Sequence, residues 1–187
     1  MTDTATRRRG DTRARIQDVA LERFTSQGYD QTSLREIAED LGVTKAALYY
    51  HFKSKEEILD SLIAQVLDEV DALVTWMNDG PATRERRLEM IARLVDVTRG
   101  TPGEVMRCVQ QNEVALQNLA STTGLVHQLK QKLWDSSLPA DAPLEDRLRM
   151  RMAVMTVLIA NKLESDLGGT VEERGQAALR VAADLVP

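Results

Sequence analysis

Between Thr32 and Lys55 the chain carries a set of side chains suited to a polyanion. Thr44, Lys45, Tyr49 and Tyr50 lie on the exposed side of a short helical stretch, with His51 and Lys55 close behind. Hydroxyl, ammonium and imidazole donors beside flat phenol rings are the chemistry that meets phosphate oxygens and base edges. Ser54 opens a further helix whose first backbone N–H groups, with Lys55 beside them, offer a second clamp for phosphate. Other chemistry is poorly provided for. The chain has no His-Glu-x-x-His, no Gly-rich phosphate loop and no Cys cluster, and its two histidines, His51 and His127, lie far apart. No metal, no cofactor and no enzymatic activity are therefore expected. Nothing recommends Cys108 and His127 as a nucleophilic pair.

The charge distribution agrees with a polyanion at one end. Of 187 residues, 24 are Lys or Arg and 29 Asp or Glu, giving a net charge of −5. Residues 1–55 hold ten basic and eight acidic side chains, net +2, while residues 56–187 are net −7. A basic head on an acidic body suggests that the head meets a polyanion while the body does not. Hydrophobic residues at 43% and a single cysteine describe an ordinary globular chain with no internal disulfide. The stretch from Met1 to Arg15 has no apolar run, so no secretory leader is expected. The longest uncharged run of apolar character, between Arg151 and Lys162, spans ten residues, about half a membrane crossing. A cytoplasmic, non-membrane protein is the expectation.

The elements that must position these groups all read as helices, about nine of them, with no alternating strand. The first runs from about Arg13 to Gln27 with Ile16, Val19, Ala20 and Phe24 on one face. Ser33 and Glu36 form a capping box for the second, which Gly42 stops. Thr44 caps the third, to about Tyr50; Ser54 with Glu57 boxes the fourth, whose stripe of Ile58, Leu59, Leu62, Ile63, Val66, Leu67, Val70, Leu73 and Val74 ends at Asn78-Asp79-Gly80-Pro81. At 1.5 Å per residue this helix is ~36 Å long, enough to leave one domain and enter another. Further helices are expected over Thr83–Arg99, Glu104–Leu119, Thr123–Trp134 and Leu144–Leu167, with a Thr170/Glu173 box starting the last. The division expected is residues 1–55 as a DNA-binding head and 56–187 as a helical body.

The second and third helices are separated only by Gly42-Val43-Thr44, a helix-turn-helix spacing. Around it, Ile16, Ala20, Phe24, Gly28-Tyr29, Thr32-Ser33, Ile37-Ala38, Leu41-Gly42-Val43-Thr44, Leu48-Tyr49-Tyr50-His51-Phe52, Lys55 and Leu59 form a pattern that resembles the head of the TetR family of transcriptional regulators. The resemblance implies that Arg35, Thr44, Lys45, Ala46 and Tyr49 face the major groove. It implies phosphate contacts for Tyr50, His51 and Lys55, with Thr32 or Ser33 at the start of the second helix. Arg7-Arg8-Arg9 reads equally as a DNA-gripping arm or as a solvated tail.

From Met152 to Ala160 the chain is apolar nearly all round a helix, so both sides need cover. The TetR resemblance implies a homodimer through the last two helices and an effector pocket among helices four to eight. Candidate lining residues are Trp76, Met90, Met106, Val109 and Gln110, followed by Glu113, Gln117, Trp134, Met155 and Asn161. Glu113 shares a stripe with Met106, Val109 and Leu116, where a carboxylate is paired, at an edge, or waiting for a ligand. Cys108 reads as a small buried hydrophobe, since a redox role lacks a partner thiol. The function implied is a ligand-responsive repressor on a palindromic operator. The other reading is a DNA-binding protein of the same shape controlled by a partner protein, and a closed pocket of about 300 Å3 or more would separate the two.

Overall fold

Helix starts in this chain are written into short polar motifs, and most of them close as hydrogen bonds. In the computed structural model, which describes residues 3–160 and 167–187, the Ser33 hydroxyl accepts from Glu36 N–H at 3.3 Å while the Glu36 carboxylate accepts from Ser33 N–H at 2.8 Å. Thr170 and Glu173 repeat the reciprocal pair. At Ser54 only half of the expected box forms: its hydroxyl accepts from Glu57 N–H, but the Glu57 carboxylate reaches Lys53 N–H instead, at 2.6 Å.

Ten helices result among the described residues, and no strand: α1 (Asp3–Ser26), α2 (Leu34–Asp40), α3 (Lys45–His51), α4 (Lys55–Asn78), α5 (Arg84–Arg99), α6 (Thr101–Gln111), α7 (Glu113–Leu116), α8 (Ala120–Ser137), α9 (Leu144–Ala160) and α10 (Val171–Leu185). Helix α1 starts earlier than its apolar period, because that period reports where a core lies against the helix and not where the helix begins. The side chains of Arg7, Arg8 and Arg9 lie outside those described. The expected helix over Glu104–Leu119 is two helices broken at Asn112, which raises the count from nine to ten. The expected α9 segment past Ala160 to residue 166 lies outside the described residues.

Helices α1 to α3 pack on the first turns of α4 around Ile16, Ala20, Phe24, Ile37, Leu48, Phe52, Ile58 and Leu59, all buried. The α4 stripe carries this core on through Leu62, Ile63, Val66 and Val70 into the body. There α8 lies along α4, α6 bridges α1 and α4, and α10 covers α9 and α5. Burying a Leu or Ile removes about 1.5–3 kcal/mol of exposed apolar surface cost, so the stripe is the main cohesive element. No helix among the described residues is long and apolar enough to cross a membrane.

One corner of the body is unusually tight. Gly100 ends α5 and begins α6, and a Cβ added at Gly103 would stand 1.8 Å from the carbonyl oxygen of Thr98. Backbone cannot yield as a flexible side chain does. Gly103→Ala is therefore expected to force α5 and α6 apart and to lower unfolding free energy by about 1–3 kcal/mol, measured by urea denaturation.

Candidate nucleic-acid interface

The face that the sequence assigns to a polyanion is built outward from buried anchors. Leu48 is fully buried beneath α3, and Phe52 closes the helix from behind. With that side fixed, Thr44, Lys45, Ala46, Tyr49 and Tyr50 stand on the exposed side, Tyr50 at 60% exposure. Gly42, at φ +65°, turns the chain out of α2 in a conformation that only glycine adopts easily. Val43 packs on the core beside it. The Thr44 hydroxyl accepts from Ala47 N–H at 3.1 Å and sets the start of α3. Helix α3 contains no acidic residue, and the Lys45 ammonium lies 5.5 Å from the Tyr49 ring centre.

Two clamps hold α2 and α3 in place. The Arg23 guanidinium of α1 binds the Asp40 carboxylate, with one contact at 2.8 Å, and Glu36 at 3.3 Å. That pairing holds the Asp40 carboxyl below its ordinary range. On the far side Arg13 donates to the His51 carbonyl at 3.1 Å and lies 4.1 Å over the Phe52 ring. Lys53 donates to the Tyr49 carbonyl at 2.7 Å, placing a cation at the C-terminal end of α3. Neither Arg13 nor Lys53 stood out in the sequence, because each acts through a backbone carbonyl that no residue pattern announces.

Other candidates are placed differently. Arg35 is 79% exposed at its side chain but engaged by Glu39 at 2.7 Å. Ser33 is occupied in its capping box, and Thr32 is buried, donating to the Gly28 carbonyl at 2.9 Å and accepting from Gln27. Lys55 points inward. Its ammonium donates to the carbonyls of Tyr29, Thr32 and Asp30 at 2.6, 3.2 and 3.3 Å and lies 4.3 Å over the Tyr29 ring. Burial lowers its pKa from the ordinary lysine value. All three ammonium protons face the α1–α2 loop, so Lys55 joins that loop to the start of α4. His51 is half-buried at the end of α3, stacked edge-on against Tyr50.

The residues expected to line an effector pocket are dispersed. Met90 is fully buried in the core, and Met106 and Val109 pack against it from α6 with Gln110 half-buried beside them. Trp76 lies between the guanidiniums of Arg86 and Arg93, at 4.3 and 4.1 Å. Glu113 and Gln117 are exposed: the break at Asn112 takes Glu113 off the Met106–Val109 stripe. Met155 is half-buried on α9, and Asn161 lies outside the described residues. Trp134 lines a cleft of about 210 Å3 with Leu138, Arg147, Met150 and Arg151. Larger clefts of about 510–520 Å3 run between α1 and α6 and between α9 and α10. None of these three gathers the predicted set.

Residues 16–62 match the sequence pattern of bacterial regulatory proteins of the tetR family. The fold of Mycobacterium smegmatis AmtR superimposes with a TM-score of 0.69 at 25% identity, over 90% of this chain and 84% of that one. Residues 16–62 thus carry the tetR-family pattern, and the chain as a whole has the fold of AmtR. The chain is 48% identical over 52 residues to the HTH-type transcriptional regulator AcrR of Shigella flexneri, covering 28% of this chain and 24% of AcrR. It is 34% identical over 77 residues to the HTH-type transcriptional repressor KstR2 of Mycobacterium tuberculosis, 41% of this chain and 38% of KstR2. These matches thus span about a quarter to two fifths of the relatives' length.

Two outcomes are expected from this arrangement. Lys55→Met leaves buried loop carbonyls without their donor and should cost about 1–3 kcal/mol in urea unfolding. Cys108 is 1% exposed, and burial pushes its thiol up to about 11. Its alkylation at pH 8 should therefore proceed only as fast as the protein opens, accelerating sharply at the urea midpoint.

Proposed function

We propose that this chain is a tetR-family transcriptional repressor that binds a near-palindromic operator as a homodimer in the cytoplasm, and is released by a small molecule. The observation that carries the DNA reading is the exposed side of α3, where Thr44, Lys45, Ala46 and Tyr49 stand outward over a fully buried Leu48. In this reading they meet base edges, with Arg35 turning from Glu39 to join them. Ser33, Tyr50, His51 and the cation Lys53 take phosphates. Residues 1–55 act as the head and 56–187 as the body.

The homodimer is supported by the outer side of α9 and α10. Leu148, Met152 and Ile159 on α9 and Val181 on α10 are 57%, 45%, 36% and 54% exposed, and Ala177 lies in the groove between the helices. A face of this kind is costly in water and fits a self-complementary twofold contact. Paired this way, two α3 helices about 34 Å apart enter successive major grooves on one side of B-DNA. A small effector would have to part the body near Met90, Met106 and Val109. A second reading, control of the same DNA-binding dimer by a partner protein, draws support from the dispersion of the candidate lining residues.

Selection of duplexes from a random pool at near-physiological salt should recover an inverted repeat with half-sites about one helical turn apart. Sequence-blind, salt-sensitive binding alone would overturn the operator reading. Lys45→Ala should relax preference at one base position. Lys53→Ala should weaken all sequences alike and reduce the salt slope by about 1.

A further inference from the structure

Asn112 lies in the body, between α6 and α7, yet its side chain belongs to the head. Its Oδ1 accepts from Tyr29 N–H at 2.7 Å, and its Nδ2 donates to the Phe24 carbonyl at 3.1 Å and to the Cys108 carbonyl at 2.9 Å. The amide orientation is unambiguous, because a backbone N–H only donates and a carbonyl only accepts. One side chain thus ties the last turn of α1, the first residue after the Gly28 turn and the end of α6. Few side chains can replace it. Asp lacks the two donors, Ser the reach and the acceptor–donor pair, and Gln carries its amide one methylene further out.

The contact leads on toward the DNA face. Tyr29 is 4% exposed, with its ring 5.1 Å from that of Phe24. Its carbonyl accepts from Lys55, which also holds the Thr32 carbonyl just before α2. A shift of Asn112 therefore acts on the loop that feeds α2 and on the first turn of α4 together.

We propose that Asn112 is a positioning residue that sets the helix-turn-helix against the body. The proposal deepens the DNA-binding reading and rests on it only for its effect on operator affinity. Without the latch the α1–α2 loop is free to shift and α2 and α3 with it, and a bound pair of half-sites must first select one placement. Operator affinity then falls, within the range of about 5–150-fold spanned by ordinary site-to-site coupling. Non-specific affinity is unchanged, because it depends on phosphate charge and not on the spacing of two heads.

The test uses the full chain with Asn112→Ala, and Asn112→Asp as a second variant should the first fail to fold. Asn112→Asp keeps the acceptor for Tyr29 but turns a carboxylate toward two carbonyls. Spin labels at Ala47→Cys and Gln128→Cys, diluted with unlabelled protein, report head-to-body distance without DNA, since buried Cys108 does not take the label. The expected result is a narrow distance distribution in the parent and a broadened or displaced one in either variant. Operator affinity should fall about tenfold or more, with the salt slope and non-specific affinity retained. An unchanged distribution overturns the proposal, as does a loss of specific and non-specific binding in parallel with helix content. If the parent protein selects no operator, the DNA reading fails while the label distances still decide the latch.

Discussion

Helix α4 has nine buried apolar residues, from Ile58 against the head to Met77 at the distal end of the body, and the other helices are arranged by the need to cover them. A helix with this stripe cannot be shared between two loosely tethered units. Its first turns need α1, α2 and α3, and its later turns need α8, α6 and α5, so head and body are joined through one continuous core. Polar contacts then set register along the flanks. Gln17 donates to Ser61 at 2.9 Å, Thr122 donates to Asp60 at 2.7 Å, and Lys132 grips Asp71. Each fixes α1 or α8 at one height on α4, with little net energy expected from the partly exposed ion pair.

On that frame the two faces of α3 divide the work. The inward side, Leu48 with Phe52, is apolar and fully covered, while the outward side carries hydroxyls, rings and an ammonium with no carboxylate among them. The cations that surround α3 serve it indirectly. Arg13 and Lys53 donate to backbone carbonyls at the end of α3, and Lys55 to those of the α1–α2 loop. Positive charge here both shapes the interface and contributes to its field.

What was legible in the sequence is what depends on neighbours in the chain. The Ser33 and Thr170 boxes, the Gly42 turn and the α4 stripe each follow from residues within a turn or two, and each is present in the fold. The break at Asn112 was illegible because its cause lies 83–88 residues away, at Phe24 and Tyr29. Lys55 carried the signature of a phosphate ligand, yet its geometry is decided by three carbonyls, which every residue possesses and no pattern marks. The effector candidates met the same limit: the pattern that names Met90 a candidate lining residue says nothing about whether the interior around it is hollow or filled.

The corner at Gly100 and Gly103 gives α6 the character of a lever. Its near end packs so closely that Gly103 leaves no room for a side chain beside the Thr98 carbonyl. Its far end, eleven residues on, is ~16 Å away at 1.5 Å per residue. A rigid tilt of about 10° about that corner displaces the far end by ~3 Å, which is enough to carry a 2.7–3.2 Å hydrogen bond beyond its reach. Any rotation at that corner would thus be felt least at Gly103 and most at Asn112.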